Sequence, residues 1–204
     1  MATAPEATLV DELERQAARL VALGFPQVPD QVRPLKERLA DLPVALAASA
    51  IPFVLVLDSG LAPPEACMAL VEHNGRAGVV EMTPTEPAAF GPIGEVEIPG
   101  APVYLAYGID TGRETLNVTP DDALPLILGE GRSPLTLEEG IAVLIQRPDV
   151  LRSANAFSLL GSRCGDRRVP ALWISKGRPR LGWCWAGNAH TWLGSASCAG
   201  RLAA

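Results

Sequence analysis

Residues 169–185 read VPALWISKGRPRLGWCW, two apolar runs on either side of Lys176-Gly-Arg-Pro. Val169 to Ser175 and Arg180 to Trp185 carry Val, Ile, Leu and Trp, and the break between them carries glycine and proline, so the stretch predicts a β-hairpin. This hairpin decides the fold class, because regular βαβ winding would need a crossover helix between successive strands. Ala156 to Leu160, just upstream, reads as a further strand. Before it, Thr119-Pro-Asp-Asp and Thr136-Leu-Glu-Glu each open a helix with a capping threonine and carboxylates at the positive end of the dipole. The second is a capping box ahead of Gly140 to Gln146. Farther upstream the run PFVLVLD from Pro52, with Gly78 to Met82 and Val103 to Ile109, has strand length and apolar character. Pro63 to His73 reads as a helix closed by Asn74-Gly75.

The N-terminal part is helical. Leu9, Val10, Leu13, Ala17, Leu20 and Val21 recur at helical spacing before Gly24, and Leu35, Leu39 and Leu42 mark a second helix over Asp30 to Leu42, which Pro43 ends. The expected class is α+β: an N-terminal helical pair, a mixed central sheet with helices, and a β-rich C-terminal segment. At 204 residues a single domain is expected. Within 1–204, residues 1–45 form a helical extension, 51–150 an acidic α/β part and 151–204 a basic part rich in Trp and Cys.

Charge is unevenly distributed. The chain carries a net −6, yet residues 1–150 hold 9 Lys+Arg against 22 Asp+Glu, while residues 151–204 hold 8 against Asp166 alone. An acidic whole argues against a surface wrapped in nucleic acid or laid on anionic lipid, and it directs attention to the basic tail. That tail also holds all four tryptophans, three of the four cysteines and one of the two histidines. The start, MATAPEATLVDELERQ, is acidic where a signal peptide is basic and then apolar. The uncharged run Leu42 to Leu57 is 16 residues broken by Pro43 and Pro52, too short for a bilayer span. A cytoplasmic protein away from membranes is expected, with Cys67, Cys164, Cys184 and Cys198 reduced.

Nucleotide and hydrolase signatures are absent. The two lysines, Lys36 and Lys176, lie outside any P-loop spacing, Gly129-Glu-Gly131 follows a helix instead of a strand, and no Gly-x-Ser-x-Gly occurs. Asp58-Ser-Gly and Asp110-Thr-Gly resemble the aspartic protease signature. The simpler reading is two turns, in which Asp bonds its own backbone.

Three readings of the tail follow. Cys164, Cys184, His190 and Cys198 fall within 35 residues and carry the donors of a tetrahedral zinc shell, although they lack a Cys-x2-Cys pair. The same residues supply an enzyme reading: Cys164 or Cys184 as a nucleophile activated by His190 or by neighbouring arginines, with or without zinc. The reading preferred here is a binding protein. Arg163, Arg167, Arg168, Lys176, Arg178 and Arg180 surround Trp173, Trp183, Trp185 and Trp192, and guanidinium with indole suits an anionic ligand: a nucleotide or other anionic small molecule, RNA, or an acidic protein surface. On the hairpin, Arg178 and Arg180 share one side, and Trp183 and Trp185 share the other. Against this stands the plain expectation that the arginines pair with the chain's own carboxylates while the tryptophans fill the core.

The string GSRCGDRRVPALWISKGRPRLGWCWAGNAHTWLGSASC, with TGRETLNVTPDDALPLIL and GRSPLTLEEG upstream, resembles an actinobacterial family of unknown function over roughly residues 51–200. The resemblance implies a bacterial, cytoplasmic, self-contained domain and marks the tail as its distinctive region.

Overall fold

Five helices and fourteen short strands follow one another in a computed structural model that describes residues 4–204 apart from 44, 47 and 48, with side chains from Thr8 onward. The three positions fall inside the uncharged run, so that part of the run lies outside the described residues, as do residues 1–3 of the helical extension.

In chain order the elements begin with α1 (Ala4–Ala22), α2 (Val28–Arg38), β1 (Phe53–Leu57), α3 (Pro64–Leu70), β2 (Glu72–His73), β3 (Arg76–Ala77) and β4 (Val79–Val80). Next come β5 (Gly91–Pro92), β6 (Val103–Tyr107), α4 (Pro120–Gly129), β7 (Ser133–Pro134) and α5 (Leu137–Gln146). The tail supplies β8 (Ala156–Ser158), β9 (Ser162–Arg163), β10 (Arg168–Ser175), β11 (Arg178–Trp185), β12 (Leu193–Ser195), β13 (Ser197–Cys198) and β14 (Gly200–Leu202). The architecture is α+β, with helices first and strands concentrated at the end.

Two sheets carry the fold. The first has order β1-β6-β14, antiparallel throughout; the second has order β12-β8-β10-β11-β4, with β4 and β12 joined in parallel. The segments interlock. Strand β14 from the basic tail completes the first sheet, and β4 from the acidic part edges the second. Helix α5 links them, packed against β1 and α3 and touching β10. It is buried almost all round, from Leu137 to Gln146 apart from Glu138, as an apolar helix between two layers must be. Its N-terminus has the expected capping box: the Thr136 side chain accepts from the Glu139 amide and the Glu139 carboxylate accepts from the Thr136 amide. Thr119 caps α4 by accepting from the Asp122 amide.

One apolar cluster runs from Leu9 to Leu202. Within it lies a buried ionic network: Glu139 accepts from Arg201 Nε (2.6 Å), Arg201 Nη2 (2.8 Å) and the Tyr104 hydroxyl (3.1 Å), tying β14 to α5 and β6. A smaller cluster of Ala123, Ile127, Leu160, Val169 and Ala186 packs α4 against one end of the hairpin.

Three local expectations change. The hairpin turn is two residues, Lys176 and Gly177, both at positive φ (51° and 71°), so Arg178 and Pro179 belong to β11. Two left-handed residues match the twist of the flanking strands better than a four-residue loop. Asn74 and Gly75, at φ 50° and 72°, form the same kind of turn and join β2 to β3, where the sequence predicts a helix running on to His73. Gly78 to Met82 contributes only the two residues of β4.

The two Asp-x-Gly tripeptides are turns. Asp58 Oδ1 accepts from Gly60 N at 2.8 Å and Asp110 Oδ1 from Gly112 N at 2.7 Å. They sit at opposite ends of the β1–β6 ladder, which pairs Phe53 with Tyr107 and Leu57 with Val103. That ladder separates them by roughly 17 Å, so they share no proton. Among the described residues no helix is long and apolar enough to cross a membrane.

Candidate functional site

All four tryptophans of the chain line a single cleft of about 260 Å³, together with Cys184, Asn188 and His190. Register explains part of this. Ala171, Trp173, Gly182 and Cys184 fall on one side of the hairpin, and Gly182 leaves the room that the Trp173 ring occupies, where a Cβ would collide. Trp183 is fixed by its indole N–H, which donates to the carbonyls of Met82 (3.0 Å) and Thr83 (3.3 Å). Its ring meets Trp185 edge-on at 5.0 Å.

The far wall is the loop after β11. Ala186 accepts from the Asp121 amide at the start of α4 (2.9 Å), and the His190 carbonyl accepts from Asn117 N (2.9 Å). These bonds hold His190 and Trp192 beside the hairpin, with ring centroids 5.2 Å apart and planes tilted 37°. Trp185 and Trp192 keep 42% and 37% of their surface, which leaves two indoles open to a partner. Among the described residues no carboxylate lines the cleft.

The cations are in mixed states. Arg168 stands over the rings of Trp183 and Trp185, its guanidinium carbon 4.9 and 5.2 Å from their centroids, and is bound by Asp166. Arg167 pairs with Asp121 at 2.6 Å and Arg180 pairs with Glu81, so three of the guanidiniums are met by the protein's own acids. Arg163 donates to the carbonyls of Leu160 and Ser162, and burial pulls its pKa down. Lys176 and Arg178 form no ion pair among the described residues.

The cysteines do not assemble. Cys184 and His190 share the cleft, but the Cys164 thiol donates to Asp166 (3.3 Å), and Cys198 is buried on β13, which pairs with β7 outside the hairpin's sheet. Among the described residues no three His, Cys, Asp or Glu side chains come together to hold a metal. The zinc shell expected from Cys164, Cys184, His190 and Cys198 is therefore not formed, because closeness in sequence is undone by strands that leave in different directions. Burial pushes the Cys184 thiol up to about 11, with Arg163 offsetting only part, and the Cys198 thiol up to about 12. Burial and the bond to Asp166 also raise Cys164. These are thiols at neutral pH, whereas a nucleophile needs the thiolate.

Residues 19–204 match a family model described as a family of unknown function, DUF5701. The chain belongs to that family. The DUF5701 match begins well ahead of residue 51 and takes in α2 as well as the tail. No curated protein and no solved structure matches the chain.

The protein has a larger cleft, about 720 Å³, between residues 109–116 and 147–155. It is lined by charges of both signs, and Arg147 is already engaged by Asp149 (2.9 and 3.0 Å). Trp173, one of the tail's aromatic set, lines the cleft with the other three, whereas nothing in the sequence pattern marks Asn188.

Proposed function

We propose that the protein is a cytoplasmic binding protein whose tryptophan cleft takes the planar ring of an anionic ligand, a nucleotide base with its phosphate directed outward. One observation carries the reading: four indoles meet in one cleft whose lining, among the described residues, includes no carboxylate. At about 260 Å³ the cleft lies just below the roughly 300–1,000 Å³ of pockets for drug-sized ligands, so it suits one ring and not a whole molecule. Stacking a base on an aromatic face contributes about 1–3 kcal/mol and tolerates any base. Asn188 and His190 offer donors and acceptors to a base edge. Because Arg167, Arg168 and Arg180 have internal partners, stacking supplies the affinity here ahead of charge.

Titration with AMP, GMP, CMP and UMP, followed by tryptophan emission, tests this. Saturable quenching is expected, and Trp192→Ala, at an exposed position, should weaken it about 5- to 100-fold, the equivalent of about 1–3 kcal/mol. If none of the four quenches saturably, the reading fails.

A further inference from the structure

We infer that the cleft continues onto the hairpin tip as a track for the backbone of a single-stranded nucleic acid, gripped by Arg76, Lys176 and Arg178. The inference rests on the base-stacking reading above and extends it from a nucleotide to a chain. Its origin is the register of β10 and β11. Ala171, Trp173 and Ser175 lie on the same side as Arg178, Arg180, Gly182 and Cys184, with Trp173 opposite Arg180 and Ser175 opposite Arg178. Trp173 and Cys184 line the cleft. One two-residue step along that side, about 7 Å, leads from Trp173 to the Ser175–Arg178 pair, and the exposed turn follows immediately.

At the turn a third cation arrives from a distant part of the chain. Strand β3 lies against the hairpin, and Arg76 Nη1 donates to the Lys176 carbonyl at 2.7 Å while Arg178 Nε donates to the Ala77 carbonyl at 3.0 Å. Each guanidinium is thus positioned through one nitrogen, and its other N–H groups have no protein partner among the described residues. Gly177 suits the turn through its φ of 71°, and Arg76 Nη1 lies within ordinary contact of it. The three cations differ from the rest of the hairpin. Arg167, Arg168 and Arg180 each face a carboxylate, whereas Arg76, Lys176 and Arg178 form no ion pair among the described residues of an acidic chain.

The ligand class follows from the two parts together. Guanidinium N–H groups left in fixed positions suit phosphate oxygens, and an ammonium between them suits the same charge. A monophosphate whose base occupies the cleft stops short of the turn, so the tip is used only by a chain that carries further phosphates. A duplex keeps its bases paired and stacked inside, out of reach of a ring-sized cleft, whereas a single strand presents both ring and phosphate. An acidic peptide would meet the tip but leave the indoles unused.

The test compares a mixed-sequence oligoribonucleotide of about ten nucleotides with AMP on the full chain. The oligonucleotide should bind at least about tenfold tighter than the monophosphate, and three contacts, each adding about 0.7 to the slope of log affinity against log salt, predict a loss of about 20-fold between about 50 and 200 mM salt. Lys176→Gln, which alters a side chain with no hydrogen bond or ion pair among the described residues, should reduce that loss to about 7-fold and leave quenching by AMP unchanged. Arg178→Gln should act in the same direction if circular dichroism shows it folded. Oligonucleotide affinity no greater than that of AMP, a salt dependence unaltered by Lys176→Gln, or equal competition by polyglutamate would each overturn the track while AMP quenching still upholds the cleft. Loss of AMP quenching with salt-sensitive oligonucleotide binding intact would instead sink the cleft reading.

Discussion

Arg201→Ala is expected to be among the most damaging single changes in the protein. The Arg201 side chain is 6% exposed and that of Glu139 is fully buried. Arginine supplies two charged bonds to Glu139, one to Ser133 Oγ at 2.7 Å and one to the Pro134 carbonyl at 3.1 Å. Without it, Glu139 keeps only the Tyr104 hydroxyl and the Thr136 amide, and a carboxylate remains in the core without a countercharge. Hydrogen bonds to charged groups contribute about 1.5–3 kcal/mol each, and losing one partner of a buried pair costs about 3–5 kcal/mol. In a domain of this size that corresponds to a melting temperature lower by about 6–20 °C. Thermal and urea unfolding measure it. A loss under about 1 kcal/mol would refute the network's role.

Three further outcomes follow from the cysteines and the hairpin. Cys67 and Cys184 are held as thiols up to about 11 and Cys198 up to about 12, chiefly by burial, so the folded state keeps protons that the unfolded chain releases. Stability from this source is complete below the ordinary thiol range and disappears as pH rises toward those values, which should lower the urea midpoint steadily above about pH 9. At neutral pH, iodoacetamide followed by mass spectrometry should label Cys164 ahead of the other three; early labelling of Cys184 would contradict a thiol that burial pushes up to about 11. Gly182→Ala places a methyl group against the Trp173 ring and 3.0 Å from the Glu81 carbonyl. It should cost about 1–3 kcal/mol, shift tryptophan emission and weaken nucleotide quenching.

What the sequence made legible is what local chemistry dictates. The capped helices α4 and α5 and the hairpin announce themselves through residues within a few positions of each other, and those expectations agree with the structure apart from the turn. Asn74-Gly75 is ambiguous because the same dipeptide ends a helix or turns a hairpin, and only the hairpin places Arg76 at the start of β3. The partners of the tail arginines were not legible, since Asp121 is 46 residues from Arg167 and Glu81 is 99 from Arg180. The tail's tryptophans could be counted but not arranged. Their common cleft depends on the loop that Asn117 and Asp121 pin, and nothing in residues 186–192 marks that docking. The placement of Cys198 apart from Cys164 and Cys184 depends on which strand β13 joins, a long-range choice.

Leu202 pairs with Leu105, so the first sheet waits for a strand synthesised almost a hundred residues later. At roughly 5–20 residues per second, ribosomes leave the outer edge of β6 without its neighbour for about 5–20 s, a row of unsatisfied amides and carbonyls on an otherwise greasy ribbon. During that window the nascent chain is open to mispairing with its own kind, and a chaperone at the exit tunnel would have most to protect before Gly200 emerges.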